Sequence, residues 1–421
     1  MPKDPASVTT IGTEESPTSS VVPSDAADRI WRTVERLYQT GLHPAIALSV
    51  RRFGRPILDR AIGHASGNGP EDRPETPKVR ATPETPFNLF SASKAVTAMV
   101  VHLLDERRDL HVDDLVAEYL PEYGCLGKEQ ITIGQVLTHR AGVPNLPPGA
   151  LDLDRANDRQ WVLDHLCAAQ PLWRPGRLLG YHAISGGYIL GEVVRRVTGK
   201  GIEQVLEEEI LRPLGFRWLR YGVRPEEVSQ VARNYVTGPP EVPPLSWALE
   251  RALGMDIYAA ARLSNDPRFL TAVVPAGNVV ATAPELSRFF QLLLQDGELD
   301  GVRVFDRRTV RRATSEQSYL EFDFTLGIPL RYGSGFMLGG RWFSVYGPDT
   351  EHAFGHVGFT NVIGWADRER QVSAALMTSG KPFLYPQIYY LWDVLRTIGA
   401  VFPKVSHGVG RSSPAHLSRS A

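Results

Sequence analysis

Apolar residues recur at helical spacing in DAADRIWRTVERLYQTG, where Ile30, Val34, Leu37 and Tyr38 share one face and Gly41 marks a stop; the spacing predicts an amphipathic helix opening near Asp25. Two apolar runs, 44–54 and 55–65, meet at an Arg-Phe-Gly-Arg turn and read as a β-hairpin. Residues 66–86 form a polar loop punctuated by Pro and Gly. From Ser91 to about Glu106 apolar positions continue at helical spacing without Gly or Pro, which predicts a buried helix. Further helices are expected near 132–139, 158–168, 184–198, 202–211 and 284–296, with 212–283 mostly loop. Strand character returns at 331–338, 341–347, 360–368 and 371–380, with a DRER turn between the last two, and a helix at 384–399 closes the chain. This order predicts an α+β fold: an antiparallel sheet built from 26–86 and 325–402, flanked by helices, with a helical region, 87–324, inserted in it. The polar ends, 1–25 and 403–421, carry too few large apolar side chains to offset ordering entropy and are expected to be mobile tails.

Charge and composition narrow the classes of function. With 46 basic and 47 acidic residues the net charge is −1, without the basic excess of a nucleic-acid binder. Cys125 and Cys167 are the two cysteines, so at most one disulfide can form and no thiolate metal cluster exists. There is no HExxH, and His352 and His356 fall in a strand context, so neither a metal nor a cofactor is expected. No apolar run approaches the roughly 18 residues of a membrane span. The first residues lack the charged and apolar regions of a secretory signal, which makes a cytoplasmic location the expectation and leaves association with a membrane surface, and the oligomeric state, open.

Ser91-Ala92-Ser93-Lys94 is the sharpest local feature. On a helix, positions i and i+3 share a face, so the Ser91 hydroxyl and the Lys94 amine can meet. A serine hydroxyl is a weak nucleophile unless a base activates it, and burial lowers a lysine pKa enough to supply one. Arginine could not replace Lys94 in that role because it stays charged. With 25 serines and 7 lysines in 421 residues, chance alone supplies about 0.4 such pairs, so a helix-capping serine beside a snorkelling lysine competes with the catalytic reading. Tyr181, between a Pro-Gly turn and a helix, is either a core tyrosine or a phenol that shuttles the serine proton. Its neighbour His182 is either a substrate contact or a structural hydrogen-bond donor. In AFGHVGFTNVIGWAD, His356-Val357-Gly358 stand on a strand whose backbone N–H could bind an oxyanion, and Gly358 permits close approach of a substrate. No serine lies in G-x-S-x-G, and there is no dinucleotide or P-loop fingerprint.

Taken together, FNLFSASK, ITIGQVLTHRAGVP, RPGRLLGYHA, EEILRPLGF and FGHVGFTNVIGWADRER resemble the β-lactamase-related serine hydrolases: class C β-lactamases, D-alanyl-D-alanine carboxypeptidases, family VIII carboxylesterases and related actinobacterial lipase/esterases. The resemblance runs from about residue 28 to 400. It implies a covalent acyl-enzyme with Ser91 as nucleophile, Lys94 and Tyr181 as the proton relay, His356 in the third motif, and the backbone N–H groups of Ser91 and Phe359 as oxyanion hole. It also implies a sheet-and-helix fold with the site beside a helical domain. Two departures favour neutral esters: Ala183 replaces the asparagine that contacts a β-lactam side chain, and His356 replaces a fixed lysine charge. Phe359 either narrows the acyl site or packs beneath it.

The function expected is therefore a carboxylesterase or short-to-medium-chain lipase acting on a small-molecule ester. The alternatives are an acyltransferase using the same acyl-enzyme, a β-lactamase or D-alanyl-D-alanine carboxypeptidase, and a non-catalytic ligand-binding protein on the same scaffold. Loop 235–275, with Trp247, Leu249, Leu253 and Met255, is a candidate lid or acyl-pocket wall, or else part of the core.

Overall fold

The computed structural model describes residues 4–405 except 17–21, 147–151, 156–157, 241–242, 244–245, 248–249, 251–254, 343, 360 and 384–386. The elements that frame the site are, in chain order, β1 (Thr9–Ile11), α1 (Ala26–Gln39), β2 (Ala45–Arg52), β3 (Arg55–Ser66), α2 (Ser93–Arg107), α3 (Arg159–Ala168), α4 (Ser185–Thr198), α5 (Ala283–Leu294), β4 (Ser318–Asp323), β5 (Ile328–Tyr332), β6 (Met337–Leu338), β7 (Ala353–Gly358), β8 (Val362–Asp367), β9 (Val372–Thr378) and α6 (Gln387–Val401). The strands form one antiparallel sheet in the order β1-β3-β2-β9-β8-β7-β6-β5-β4, with Val79–Arg80 added on β3. The α+β architecture expected from the order of elements is the one observed.

Strand β2 divides its side chains between two cores, as the period of two requires. Ile46, Leu48 and Val50 face α1 and α6, whereas Ala45 and Ala47 face the side occupied by α2 and α5. The first face is sealed by the stripe Ile30, Val34, Leu37 and Tyr38 of α1. On the second, α5 approaches β8 so closely that a Cβ on Gly364 would lie 2.4 Å from the Phe290 ring, so only glycine fits there. Strands β8 and β9 are buried at every position, since helices cover both faces.

Several expectations need correction. Much of the N-terminal tail is ordered: β1 pairs with β3, Val8 and Val22 are buried, and Glu14 pairs with Arg60 at 2.7 Å. A ladder of backbone bonds and an ion pair do here what the few apolar side chains could not. At the other end Lys404 reaches Asp349 and Glu369, and 406–421 lie outside the described residues. The described residues of 341–347 are not strand; Trp342 is 84% exposed. The run 331–338 is two strands with a turn at Gly333–Phe336, and the sheet resumes at Ser318, earlier than expected. Within the loop-rich stretch, Ile257–Leu263 and Pro267–Thr271 are helical. Cys125 and Cys167 are both free thiols. Among the described residues no helix is long and apolar enough to cross a membrane.

Candidate active site

Ser91 sits in a tight 3-10 turn, Phe90–Ala92, that leads directly into α2, so the helix begins two residues later than the apolar pattern suggested. The backbone N–H of Ser91 opens this turn and therefore has no partner within it. Lys94, one turn on, is 8% exposed and places Nζ 3.1 Å from Ser91 Oγ, 2.7 Å from the Ala183 carbonyl oxygen and 3.1 Å from that of Ala276. Desolvation lowers the Lys94 pKa to about 7. As a neutral amine Lys94 has two N–H bonds, which match the two carbonyls, and one lone pair, which is left for the Ser91 hydroxyl proton.

Tyr181 stands over the same group: Nζ of Lys94 lies 4.8 Å from its ring centre, and its hydroxyl hydrogen-bonds Ser91. Burial raises the Tyr181 pKa, so the group is held as a phenol. The Tyr181 backbone is fixed from far along the chain by Asp323 at the end of β4. One Asp323 oxygen accepts the N–H groups of Tyr181 (3.1 Å), Thr325 (2.9 Å) and Leu326 (2.9 Å), and the other accepts the Tyr332 hydroxyl at 3.2 Å. His139, in the THRAG segment, packs its ring 4.7 Å from that of Tyr181 and accepts the His182 N–H at 3.2 Å. Neither Asp323 nor His139 stood out as a site residue in the sequence. His139 lay inside a quoted motif that carried a signal, whereas nothing local to Asp323 announces its reach to Tyr181.

His356 is 1% exposed on β7 with its ring centre 6.2 Å from that of Tyr181. Its Nδ1 lies 2.9 Å from the Val357 carbonyl, which can only accept, so Nδ1 carries the proton. Burial and the charge of Lys94 lower its pKa to about 3, leaving a neutral imidazole. A Cβ on Gly358 would lie 1.9 Å from the Leu89 carbonyl, so glycine is what allows the end of β7 to touch the serine turn. Phe359 follows with φ +50° and stacks at 5.0 Å on Phe90, itself at φ +48°; both are unfavourable for a bulky side chain and are held by this contact. Both rings line the cavity in front of Ser91, so Phe359 narrows the site rather than packing away from it.

That cavity, about 90 Å³, is walled by Leu153, Ile184, Met255, Phe269 and Val274 as well as the two phenylalanines. Of the four side chains singled out in the candidate lid, Met255 reaches it, together with Phe269 and Val274 of the same stretch. Trp247 is 65% exposed and is not among the lining residues, while Leu249 and Leu253 lie outside the described residues. His182 is fully buried behind Tyr181, with burial lowering its pKa to about 3, and contacts His139 rather than the cavity. The structure therefore brings together Ser91, Lys94, Tyr181, His356, Gly358 and Phe359 and leaves out Trp247 and His182.

Known proteins resemble this chain in sequence and fold to different degrees. The profile of the Beta-lactamase family matches residues 32–391. The chain is 32% identical over 357 residues to the esterase/beta-lactamase LipL of Mycobacterium tuberculosis, covering 79% of this chain and 76% of that protein. A penicillin-binding protein homologue from Caulobacter crescentus superposes with a TM-score of 0.76 at 28% identity, over 91% of this chain and 99% of that one. A family VIII carboxylesterase has the same fold, with a TM-score of 0.73 at 23% identity over 89% and 98% of the two chains.

Proposed function

Because the chain belongs to the Beta-lactamase family, we propose that it is a serine carboxylesterase that hydrolyses uncharged carboxylic esters through an acyl-enzyme. The observation that carries this reading is the buried Lys94, whose three polar neighbours suit a neutral amine pointed at Ser91 Oγ. Lys94 takes the Ser91 proton as Oγ bonds to the ester carbonyl carbon, and the oxyanion is received by the N–H groups of Ser91 and Phe359. The carbon–oxygen bond to the alcohol then breaks; the alkoxide takes the Tyr181 proton, which the Lys94 ammonium replaces. Water repeats the sequence on the acyl-enzyme, releasing the acid and restoring the serine. The high pKa of Tyr181 favours this division of labour over one in which a phenolate is the base.

Preference for neutral esters is supported by the cavity and by His356. A neutral imidazole gives a substrate carboxylate no fixed counter-charge, and the wall in front of Ser91 is mainly apolar. The name of LipL includes β-lactamase, so β-lactam hydrolysis by the same serine is the second reading. Pre-steady-state release of p-nitrophenol from acetate, butyrate and octanoate esters tests the first. A burst followed by turnover in wild type, absent in Ser91→Ala, is the expected result. No burst on any ester, with turnover of a chromogenic cephalosporin, would overturn it in favour of the second.

A further inference from the structure

A second and larger cavity, about 430 Å³, lies beyond the one in front of Ser91. Both are laid along one stripe of α4 and its N-terminal approach. Ile184 lines the first, Gly191, Glu192 and Arg195 line the second, and Tyr188 lines both. The spacings of four, seven, eight and eleven residues from Ile184 keep these positions on one helical face, and Ile184 and Gly191 are about 10 Å apart along the axis. The opposite wall is the short segment Val273–Gly277, which ends in a turn closed by the Gly277 N–H on the Val274 carbonyl. Val274, Ala276 and Gly277 face the first cavity and Val273 and Pro275 the second, while the Ala276 carbonyl holds Lys94. Gly187 lies against this wall, with room for no Cβ beside Ala276. Tyr188 is the lining residue that the two cavities share, so it stands between the cavity that holds Ser91 and the larger one. The cavity beyond it is mixed: Val162, Leu163 and Leu166 of α3 and Ile202 give it an apolar side, and Arg159, Glu192, Arg195, Glu203 and Gln204 give it a polar and charged one.

We propose that the cavity beyond Tyr188 is a second subsite for the far end of a long alkyl chain carried by the ester that reacts at Ser91, and that Tyr188 sets the chain length admitted. The proposal rests on the ester reading for its first test. In Tyr188→Ala, or the milder Tyr188→Leu should the alanine variant not fold, kcat/KM for dodecanoate relative to butyrate is expected to rise at least about tenfold. A p-nitrophenyl series lengthens the acyl chain and an alkyl acetate series the alcohol, so the series that responds tells which chain occupies the groove. A Cβ on Gly191 would lie 3.1 Å from Pro275 and 3.7 Å from Ile202, so Gly191→Val narrows the far cavity next to Tyr188; added to Tyr188→Ala, it should cancel the gain. An unchanged length profile in both series, or a gain that survives Gly191→Val, overturns the proposal while leaving ester hydrolysis intact. Should no ester turn over, the ester reading fails separately, and dodecanoate binding to the Ser91→Ala/Tyr188→Ala double variant by calorimetry decides. Weakening by Gly191→Val supports the subsite, and binding that is absent or indifferent to that change removes it.

Discussion

Lys94 and Lys381 are both buried, and they differ in what stands beside them. Lys94 is 8% exposed and Lys381, just after β9, is 1% exposed; desolvation lowers the pKa of each to about 7. Each lies over an aromatic ring, Tyr181 at 4.8 Å and Phe90 at 4.9 Å. Lys94 has a serine hydroxyl and two carbonyls around its nitrogen, whereas Lys381 gives its one side-chain hydrogen bond to the Thr378 carbonyl at 2.7 Å. Desolvation thus lowers both of these lysines toward neutral pH, whereas the equally buried Lys128 gives its Nζ hydrogen bonds to the carbonyls of Cys167 and Ala169. A nucleophile within reach of the lone pair is what distinguishes a base from a buried strut. Lys381 supports Phe90, which stacks on Phe359, so its influence on the site passes through packing.

The strongest way to break this comparison is to exchange the two side chains for ones that keep bulk but lose basicity. Lys94→Met should lower kcat for p-nitrophenyl butyrate by about a thousandfold or more, and Lys94→Arg by a similar factor because guanidinium does not deprotonate. An active Lys94→Arg enzyme would refute the assignment. Lys381→Met should cost at most about tenfold in the same assay, and its melting temperature at pH 7 should equal or exceed that of wild type, since methionine removes a poorly compensated buried cation.

The pH profile sharpens the contrast. In the proposed mechanism the reactive form has Lys94 neutral, so kcat/KM should climb as pH rises through about 7, and the climb should persist in Lys381→Met. Stability follows the same protons. Between about pH 7 and 9.5 the unfolded chain holds protons on both lysines that the folded protein lacks, so stability should increase with pH. Each Lys→Met variant should lose about one proton of that slope in denaturant titrations. On the acid side, burial lowers His43, His182 and His356 to about 3 and His102 to about 4. The unfolded chain takes up protons there first, so stability should fall as pH drops below about 6.5.

What the sequence disclosed about the site follows from distance along the chain. Ser91 and Lys94 are one turn apart, and helical periodicity alone predicts their contact. Tyr181 was legible from its loop-to-helix setting together with the resemblance to known hydrolases. Asp323 was not, because the bond that fixes the Tyr181 backbone spans 142 residues and rests on a β4 strand whose exposed Tyr319, Leu320 and Phe322 obscure its alternation. His182 misled for the converse reason: adjacency to Tyr181 suggested a substrate contact, but successive residues at this junction point in different directions. In the fold, the β2–β3 hairpin and the apolar runs of β8 and β9 could be read, as could the amphipathic α1. β1 was missed because backbone bonds to β3, rather than side-chain pattern, hold it in place.

That same short strand has a consequence for how molecules of this protein behave toward one another. The sheet ends in β1 on one side and β4 on the other, and β4 carries an irregularity between Ser318 and Glu321 where Leu320 adopts φ +45°. An irregular rim pairs poorly with a neighbour, and on the longer strand β3 the rim at Arg60–Ile62 is capped by β1, beside Val79–Arg80. Trimming the chain back to Asp25, as its polar composition invites, would leave β3 with open backbone groups. The expected outcome is an enzyme that still turns over but self-associates with rising concentration, visible as growth in scattered light: the first dozen residues serve as a guard against aggregation.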